Sequence, residues 1–444
     1  MSVDFRVRDF AYPMRILRLR RSFGKSQWLP PQELRAYQEE RLRNIIHQAY
    51  HHVPYYRRLF DQRRLKPSDV QTVEDLHKLP LLSREKVRAN YAELCADNAR
   101  QFRPAAAHTS GTTGEPLRFL VDKPSNILEF VYYWRHWSWA GYRLGDCFAD
   151  VRYDYFVRRS ETTDNVWAFQ PHLRRLLLNS MRISPDRIGG YAKVLRRYRP
   201  RFIRARPVSL YCLALFLRER RLDDITFQAV FTGGETVLPQ HREMIETTFG
   251  CMVLDSYGHM ERCVAVSQCP EGGYHINSEY GILELADERR RNDGAVIGRA
   301  VGTSLHKMAM PFLRYEVDDL IEVCSNEKPC PCGRMLPLVR TVHGRKQDVI
   351  LTPDGRRIPS LFNVFYYVRG IRFFQLVQEE VERLMVRIVK GTDFTPQSEE
   401  SMKLWLGRFI GDGMSIELEY ISERDLALDD TGRPIPVVSR VPLW

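Results

Sequence analysis

The chain has no apolar segment long enough to cross a bilayer, because no window of about 18 residues is free of charged side chains. Residues 1–24 mix aspartates and arginines among their apolar residues, so we expect no secretory signal. There is no internal repeat and no low-complexity tract, which excludes repeat arrays. The 9 cysteines in 444 residues are too few for a disulfide scaffold and favour thiols or a metal site. We therefore predict a cytoplasmic protein.

Basic residues outnumber acidic ones, and the net charge is +12. The arginine-rich segment Met14–Arg21 (MRILRLRR) is compatible with three structures. It could be a solvated arm, a helix packed on its own protein, or a short basic helix lying on an anionic membrane. No nucleic-acid-binding motif accompanies the charge, so we expect no nucleic-acid partner and at most peripheral membrane contact through the basic N-terminus.

Three regions of the chain differ in their hydrophobic pattern. Residues 1–100 are a helical leader, in which Glu33–Tyr50 has helical spacing and Pro54 ends the segment. Residues 101–343 alternate short β-branched runs with helical stretches, which predicts a large α/β domain. Residues 344–444 contain a turn, a helix candidate and strands, which predicts a small mobile α+β C-terminal domain. The predicted fold class is therefore α/β.

The segment His108–Pro116 (HTSGTTGEP) combines two glycines with hydroxyl residues. Backbone N–H groups and hydroxyls of such a turn, here Thr109–Gly114, can converge on phosphate oxygens. It is not a Walker loop, because Glu115 stands where that motif has lysine. Taken alone, a Ser/Thr/Gly turn of this kind is more often an ordinary loop than a phosphate site.

Four later segments have compositions typical of nucleotide contacts. Phe231–Val237 (FTGGETV) is a strand that runs into paired glycines, where a flat ring could lie against the backbone. Asp255–Glu261 (DSYGHME) places an aromatic ring, a glycine and a carboxylate close together. Arg314–Leu320 (RYEVDDL) offers carboxylates for ribose hydroxyls, and Gly344–Ile350 (GRKQDVI) lies at the predicted domain boundary.

In this order the segments resemble the adenylate-forming superfamily of acyl-CoA synthetases, peptide-synthetase adenylation domains and luciferases. The similarity is greatest to the phenylacetate–CoA ligase family and its CapK-like branch, linked to capsular polysaccharide synthesis, and covers about residues 31–444. It implies an ATP- and Mg²⁺-dependent ligase that converts a carboxylic acid, aryl or short acyl, to an acyl-adenylate with release of pyrophosphate. A thiol, usually coenzyme A (CoA), then displaces AMP. Relatives often form homodimers.

The resemblance also implies roles for individual residues. The nucleotide-binding residues would be Ser110, Gly111, Thr112, Thr113, Gly114, Gly234, Glu235, Ser256, Tyr257, Gly258 and Asp319. The catalytic residues would be Thr109, Glu261, Arg345 and Arg433. Among these, residues 110–114 would hold the β- and γ-phosphates, Tyr257 would stack near the adenine, and Asp319 would bind the ribose. Glu261 would hold magnesium, and Asp348 would be the hinge of the small domain.

Three positions depart from the family pattern. Arg433 stands where the family's small domain has a lysine, Met260 replaces a hydroxyl residue before Glu261, and Gln347 replaces an acidic residue at the hinge. Arginine keeps the charge but is not an equivalent point donor. Two alternatives to CoA ligation stay open. The departures leave open a nucleotide-binding protein that has lost turnover, and the CapK-like resemblance leaves open a ligase acting on an amine or hydroxyl of a surface-glycan precursor.

Cys269 and His275 form a Cys-x5-His pair, and Cys330 and Cys332 flank Pro331. These four side chains supply enough soft ligands for a tetrahedral structural Zn²⁺. CapK-like relatives commonly show the same pattern, and Cys324 is an alternate fourth ligand. The other interpretation is that the four residues are unrelated and that Cys330 and Cys332 merely lie in a proline-rich turn.

Overall fold

The computed structural model describes residues 13–108, 117–152, 156, 165–324, 329–345, 349–359, 361, 365, 368, 370–411, 413–428 and 435–441. Its α-helices are α1 (Pro13–Ser26), α2 (Pro31–His52), α3 (Pro54–Gln62), α4 (Arg84–Ala89), α5 (Tyr91–Leu94), α6 (Lys123–Trp139), α7 (Ile188–Tyr198), α8 (Pro207–Glu219), α9 (Pro239–Phe249) and α10 (Pro396–Ile410). Several begin at a proline, whose fixed φ suits the first helical turn. No helix of the described residues is long and apolar enough to span a membrane.

The first strands along the chain are β1 (Ala105–His108), β2 (Arg118–Val121), β3 (Phe148–Arg152), β4 (Trp167–Gln170), β5 (Arg175–Asn179), β6 (Phe202–Ala205), β7 (Ala229–Thr232), β8 (Met252–Leu254), β9 (Ser256–Gly258), β10 (Ala265–Gln268) and β11 (Tyr274–Ile276). The later strands are β12 (Gly281–Arg290), β13 (Ala295–Ser304), β14 (Tyr315–Cys324), β15 (Leu338–Val339), β16 (Thr341–Arg345), β17 (Val349–Leu351), β18 (Arg357–Pro359), β19 (Ile371–Glu380), β20 (Arg383–Lys390), β21 (Ser415–Tyr420) and β22 (Val437–Ser439).

The chain divides into two compact units, each built from segments that are distant in sequence. The first unit contains residues 1–109, 117–146 and 254–342, and the second contains residues 110–116, 147–253 and 343–444. The domain limits predicted from the sequence, 1–100, 101–343 and 344–444, stay a prediction.

The first unit packs α2 to α5 against two four-stranded sheets and the β1–β2 hairpin. The sheets have the strand orders β15-β11-β10-β9 and β12-β13-β14-β16. On α2, Leu42, Ile45, Ile46 and Ala49 recur at helical spacing, and all four are fully buried in one apolar core. Val53 is extended at the end of α2, as expected of a residue that precedes proline, and α3 begins at Pro54.

The second unit contains a six-stranded sheet of order β4-β5-β3-β6-β7-β8. Strands β5, β3, β6 and β7 pair in parallel, and β4 is an antiparallel edge. The connecting helix α8 (PVSLYCLALFLRE) is apolar on nearly every side, and residues 207–217 are all buried. This β–α alternation is the pattern predicted for the α/β region.

The C-terminal segment adds a second layer to this unit. Its sheet has the order β21-β20-β19-β22, and β17 pairs with β18. The ring of Phe409 on α10 lies 5.6 Å from that of Tyr211 on α8 and 4.9 Å from that of His241 on α9. One apolar core therefore joins residues of the six-stranded sheet to residues of the C-terminal segment.

The charged stretch Asp287–Asp293 is predicted to be an exposed turn, and this is wrong for its first half. Strand β12 continues to Arg290, with residues 287–290 exposed, and the turn comes after it. The Arg291 backbone N–H donates to the carbonyl of Ala295 at 2.8 Å. Charged residues are compatible with a strand that faces solvent, which composition alone does not distinguish from a turn.

Candidate functional site

Glu261 lies at the centre of a buried polar cluster in the first unit. Its Oε1 accepts a hydrogen bond from the Tyr315 hydroxyl at 2.8 Å and lies 3.7 Å from Nη2 of Arg84. Its Oε2 lies 3.3 Å from Nδ1 of His259. Only 3% of Glu261 is exposed. A carboxylate this buried needs such partners, because burial of an uncompensated charge is strongly unfavourable.

Backbone pairing brings Arg84 to this cluster. The Leu82 N–H donates to the carbonyl of Arg314 at 2.9 Å, and the Glu316 N–H donates to the carbonyl of Leu82 at 3.0 Å. Ser83 then caps α4, with its hydroxyl accepting from the Lys86 N–H at 3.3 Å. Sequence reasoning missed Arg84, because it belongs to no motif and only tertiary pairing places it beside Glu261.

The hydrogen bonds of His259 fix its tautomer. Nε2 accepts from the Val264 backbone N–H at 3.2 Å, so this nitrogen carries no proton. The ring proton of the neutral imidazole therefore lies on Nδ1, from which it is donated to Glu261. The histidine thus orients the Glu261 carboxylate rather than competing with it for a proton.

Burial alone would raise the pKa of Glu261. The hydrogen bond donated by His259, the Arg84 guanidinium and the Tyr315 hydroxyl outweigh burial and lower the pKa to about 2. Glu261 is therefore ionised at neutral pH. Burial, together with the same carboxylate, raises the pKa of the Tyr315 hydroxyl, which stays a donor.

Tyr257 and Asp319, which the sequence assigns to nucleotide binding, meet in the first unit. The Tyr257 hydroxyl donates to Oδ2 of Asp319 at 2.8 Å. Asp319 lies in a bulge of β14, since the register with β13 shifts between Arg299 and Val301 and Asp318 has a φ of 67°. Bulges re-aim side chains and are common beside binding sites. Ser256 and Gly258 flank Tyr257 on β9 and pair with β10.

Lys307 is a second buried charged group of this unit. Its Nζ lies 3.5 Å from the ring centroid of Phe312 and 4.6 Å from that of Phe119 on β2. Nζ has no hydrogen-bond partner among the described residues, and Lys307 is fully buried. Burial lowers the pKa of Lys307 to about 8, although the nearby Cys263, Glu261 and Asp122 raise it. Sequence reasoning missed Lys307 because its surroundings come from several strands.

The paired glycines after β7 lie in the second unit. Gly234 has a φ of 83°, which favours glycine at that position. The Glu235 carboxylate is buried and accepts from Nη1 of Arg206 at 3.2 Å. Burial raises the pKa of Glu235, an effect that Arg206 opposes. Arg206 therefore compensates the buried carboxylate of a residue that the resemblance assigns to nucleotide binding.

Several predicted residues lie outside the described part of the chain. These are Thr109, Ser110, Gly111, Thr112, Thr113, Gly114, Gln347, Asp348 and Arg433. Strands β1 and β2, which come before and after residues 109–116 in the chain, are antiparallel, with His108 opposite Arg118. Arg345 ends β16, and its side chain, like that of Cys324, is also outside the described residues.

The four predicted zinc ligands come together in the first unit. One ligand atom from each of Cys269, His275, Cys330 and Cys332 lies within 4.8 Å of the others. The Cys269 and Cys330 sulfurs are 3.5 Å apart, and the Cys332 sulfur is 3.2 Å from Nε2 of His275. Tetrahedral zinc requires thiolate sulfurs about 3.8 Å apart, given a Zn–S distance of about 2.3 Å. The donor set and its spacing therefore fit Zn²⁺.

Two further contacts support this arrangement. Nδ1 of His275 lies 3.2 Å from the carbonyl of Leu336, which leaves Nε2 on the side of the sulfurs. A Cβ on Gly273 would come within 2.8 Å of the Cys330 sulfur, so a side chain at this position would displace that sulfur. Burial lowers the pKa of His275 to about 4. A neutral imidazole is the form that binds metal.

Comparison with known proteins defines the class of this fold. The chain superposes on 2-hydroxyisobutyryl-CoA ligase in complex with R3-HIB-AMP with a TM-score of 0.61 and 18% identity, covering 94% of this chain and 91% of that one. Its TM-score with the same ligase in complex with 2-HIB-AMP and CoA is 0.59, at 19% identity and the same coverage. The fold of the chain is therefore that of these acyl-CoA ligases, which are adenylate-forming enzymes. The predicted fold class is confirmed.

Sequence comparison identifies individual enzymes and a domain family that this chain resembles. The chain is 26% identical over 338 residues to phenylacetate–coenzyme A ligase of Thermus thermophilus, covering 73% of each protein. It is 24% identical over 376 residues to phenylacetate–coenzyme A ligase of Aromatoleum evansii, covering 82% of this chain and 77% of the relative. Residues 350–429 match the model of the CapK C-terminal domain. The predicted resemblance is confirmed, and the predicted enzyme class, an adenylate-forming ligase, agrees with these relatives.

Proposed function

We propose that this protein is an ATP-dependent, AMP-forming ligase that activates an aryl or short acyl carboxylic acid and transfers the acyl group to CoA. The observation that carries the proposal is the assembly of Glu261 and the Tyr257–Asp319 pair in one unit. Tyr257 and Asp319 are 62 positions apart, and Glu261 and Tyr315 are 54 apart. Tertiary structure thus brings together residues to which the proposal assigns roles in adenylation, in a chain with the fold of the acyl-CoA ligases.

The proposed reaction has two steps, and in each step one bond forms and one bond breaks. In the first, a carboxylate oxygen of the acid attacks the α-phosphorus of ATP, and the bond to the β-phosphate oxygen breaks to release pyrophosphate. In the second, the CoA sulfur attacks the acyl carbon after losing its proton, and the carbon–oxygen bond to AMP breaks. Both steps depend mainly on positioning and on compensation of charge, which is what fixed side chains supply.

The described residues have distinct roles in this proposal. Asp319 would accept hydrogen bonds from the ribose hydroxyls, and the Tyr257 hydroxyl holds its carboxylate in place. Glu261 supplies a fixed negative charge whose orientation depends on Tyr315, His259 and Arg84. These three are positioning residues, because each acts through the Glu261 carboxylate.

Glu261 is also the residue that would hold Mg²⁺. Its carboxylate is ionised, and Oε2 accepts only one hydrogen bond from a described residue, so a lone pair of this oxygen remains for a hard cation. Magnesium in nucleotide sites is commonly bound by one or two carboxylates and substrate phosphates. When bound, the ion would neutralise phosphate charge.

Zn²⁺ in the cluster of Cys269, His275, Cys330 and Cys332 belongs to the same proposal as a structural ion. All four protein ligands are present, which leaves no open coordination position for chemistry. The ion would link the β10–β11 hairpin to the segment that leads into β15.

ATP–pyrophosphate exchange tests the first step directly. Phenylacetate, benzoate and short acyl acids would be compared, with Glu261→Gln as the inactivating variant and Glu288→Gln, an exposed site on β12, as the matched control. We expect exchange with at least one acid, a loss of about 100-fold in Glu261→Gln and no loss in the control. Exchange with no acid by a protein that binds ATP would contradict the proposal. If the Arg433→Lys variant then showed exchange, the absence of exchange in the wild type would be due to Arg433.

Mass spectrometry of the products identifies the acceptor. With ATP, a reactive acid and CoA, we expect an acyl-CoA thioester and AMP. A surface-glycan amine or hydroxyl remains the second candidate acceptor, because residues 350–429 match the CapK C-terminal domain. Acyl-adenylate that forms but never consumes CoA would exclude the thioester and favour that acceptor.

A further inference from the structure

Helix α1 is fixed to the first unit by its inner side. Ile16 and Phe23 are buried, and the carbonyl of Phe23 accepts from Nη1 of Arg135 at 3.1 Å. The Ser26 hydroxyl donates to Glu279, which also pairs with Arg135. Of the three structures that the sequence leaves open for Met14–Arg21, the described residues show a helix packed on its own protein.

The outer side of α1 is basic and partly apolar. Arg18, Arg20, Arg21 and Lys25 are exposed, and none forms an ion pair with a described residue. Leu17 is 50% exposed, and Trp28, just after the helix, is 49% exposed. Positions 17, 20, 21 and 25 recur at helical spacing, so Leu17 shares one side of α1 with three of the cations. Residues 13–30 contain no acidic residue.

The turn after the cysteine cluster extends this surface. The Arg334 guanidinium lies 5.2 Å from the ring centroid of Trp28, and Met335 is 42% exposed. The Met335 N–H donates to the carbonyl of Gln27 at 2.8 Å, which ties this turn to the end of α1. The N-terminal basic face is therefore defined by Leu17, Arg18, Arg20, Arg21, Lys25, Trp28, Arg334 and Met335.

We propose that the N-terminal basic face docks the protein on an anionic lipid surface. Clustered exposed cations that form no ion pair with a described residue complement phospholipid headgroups. Leucine and tryptophan among them suit the boundary between headgroups and acyl chains, where tryptophan is enriched. A polyanion such as nucleic acid would use the cations but gives no role to exposed Leu17 and Met335. An anionic lipid surface therefore accounts for both the exposed cations and the exposed apolar side chains.

Vesicle sedimentation of the full chain tests the proposal. Vesicles of phosphatidylcholine with 30% phosphatidylglycerol would be compared with pure phosphatidylcholine, at low salt and at 0.5 M NaCl. We expect binding only to the anionic vesicles and release by salt, because salt screens exposed charges. The double variant Arg20→Glu/Arg21→Glu should bind at least about thirtyfold more weakly, since each basic residue near such a surface contributes a factor of about five and the two glutamates add repulsion.

The matched control is Arg289→Glu/Arg290→Glu, an exposed arginine pair at the end of β12, which should bind as the wild type does. Trp28→Ala should weaken binding at low salt and leave its salt dependence unchanged. Thermal melting and ATP–pyrophosphate exchange of each variant show whether the fold persists. The proposal would be overturned if the wild type bound both vesicle types equally or bound neither. It would also be overturned if the two double arginine variants lost vesicle binding to the same extent. Retention by RNA with no retention by anionic vesicles would also overturn it.

Discussion

Tyr315 donates its hydroxyl to Oε1 of Glu261 at 2.8 Å, and both side chains are buried. This bond joins the first residue of β14 to the turn after β9. Together with Arg84 and His259 it keeps a carboxylate charged where solvent does not reach it. The folded-state pKa of Glu261, about 2, lies below the value of 4.5 for an unperturbed glutamate. Its ionisation therefore stabilises the fold above pH 4.5, and this stabilisation is lost as pH falls towards 2.

Tyr315→Phe is expected to lower the free energy of unfolding by about 2 kcal/mol at pH 7, because a buried hydrogen bond to a charged group is lost. The difference from wild type should shrink between pH 4.5 and the lowest pH at which the protein remains folded. Urea unfolding across this range measures it. Tyr420→Phe is the control, since Tyr420 also donates to a glutamate, Glu399, but is 42% exposed. If Tyr315→Phe and Tyr420→Phe lowered the free energy of unfolding equally at pH 7, burial of the Glu261 cluster would add nothing to the stabilisation by this hydrogen bond.

Asp319→Asn is expected to raise the KM for ATP about tenfold with a smaller change in kcat, because ribose contacts act equally in the ground and transition states. Tyr257→Phe should have a weaker effect in the same direction, since it removes only the bond that orients Asp319. Initial rates of pyrophosphate exchange at varied ATP provide both constants. Asp318→Asn is the control, because Asp318 is the adjacent carboxylate and asparagine tolerates its φ of 67°. A KM effect in Asp318→Asn as large as in Asp319→Asn would contradict the assignment.

Removal of zinc ligands is expected to release one ion per chain and to destabilise the first unit. Cys332→Ser and Cys269→Ser should lose the zinc measured by inductively coupled plasma mass spectrometry, and their melting temperatures should no longer respond to chelators. Cys251→Ser, which changes a free cysteine outside the cluster, should retain the ion. Wild-type protein from zinc-replete medium that contains no zinc would exclude this site.

Lys307→Met is expected to stabilise the protein at pH 7. Burial lowers the folded-state pKa of Lys307 from 10.5 to about 8, so the unfolded chain binds the proton more tightly. The resulting penalty is complete below pH 8, roughly 3 kcal/mol, and it disappears as pH rises through 10.5. The gain of Lys307→Met over wild type should therefore shrink between pH 8 and pH 10. Unfolding by urea measures it, with Lys193→Met, on the exposed side of α7, as the control.

Two results would contradict the account of Lys307. One is a gain that stays constant across this pH range, which would indicate a packing effect of the methionine. The other is a destabilised variant at pH 7, which would indicate that the cation interacts with Phe312 and Phe119 strongly enough to offset its burial.

The sequence by itself determined the fold class and the types of residue at the site. Helical spacing in Glu33–Tyr50 predicts most of α2, and the Cys-x5-His and Cys-x-Cys pairs identify the four members of the Cys/His cluster. The order of the nucleotide motifs indicates the superfamily. These signals are local, since each depends on residues within one helix, strand or turn, and local pattern is what a single sequence carries.

Tertiary structure decided how these residues are combined. Arg84 has no motif, and it reaches Glu261 only because Leu82 pairs with the strand of Tyr315. Asp319 is turned towards Tyr257 by a bulge whose position depends on the partner strand. Burial of Lys307 likewise depends on Phe119 and Phe312, which come from different segments. Such contacts join residues far apart in the chain, and their pKa values follow from the surroundings that only folding creates.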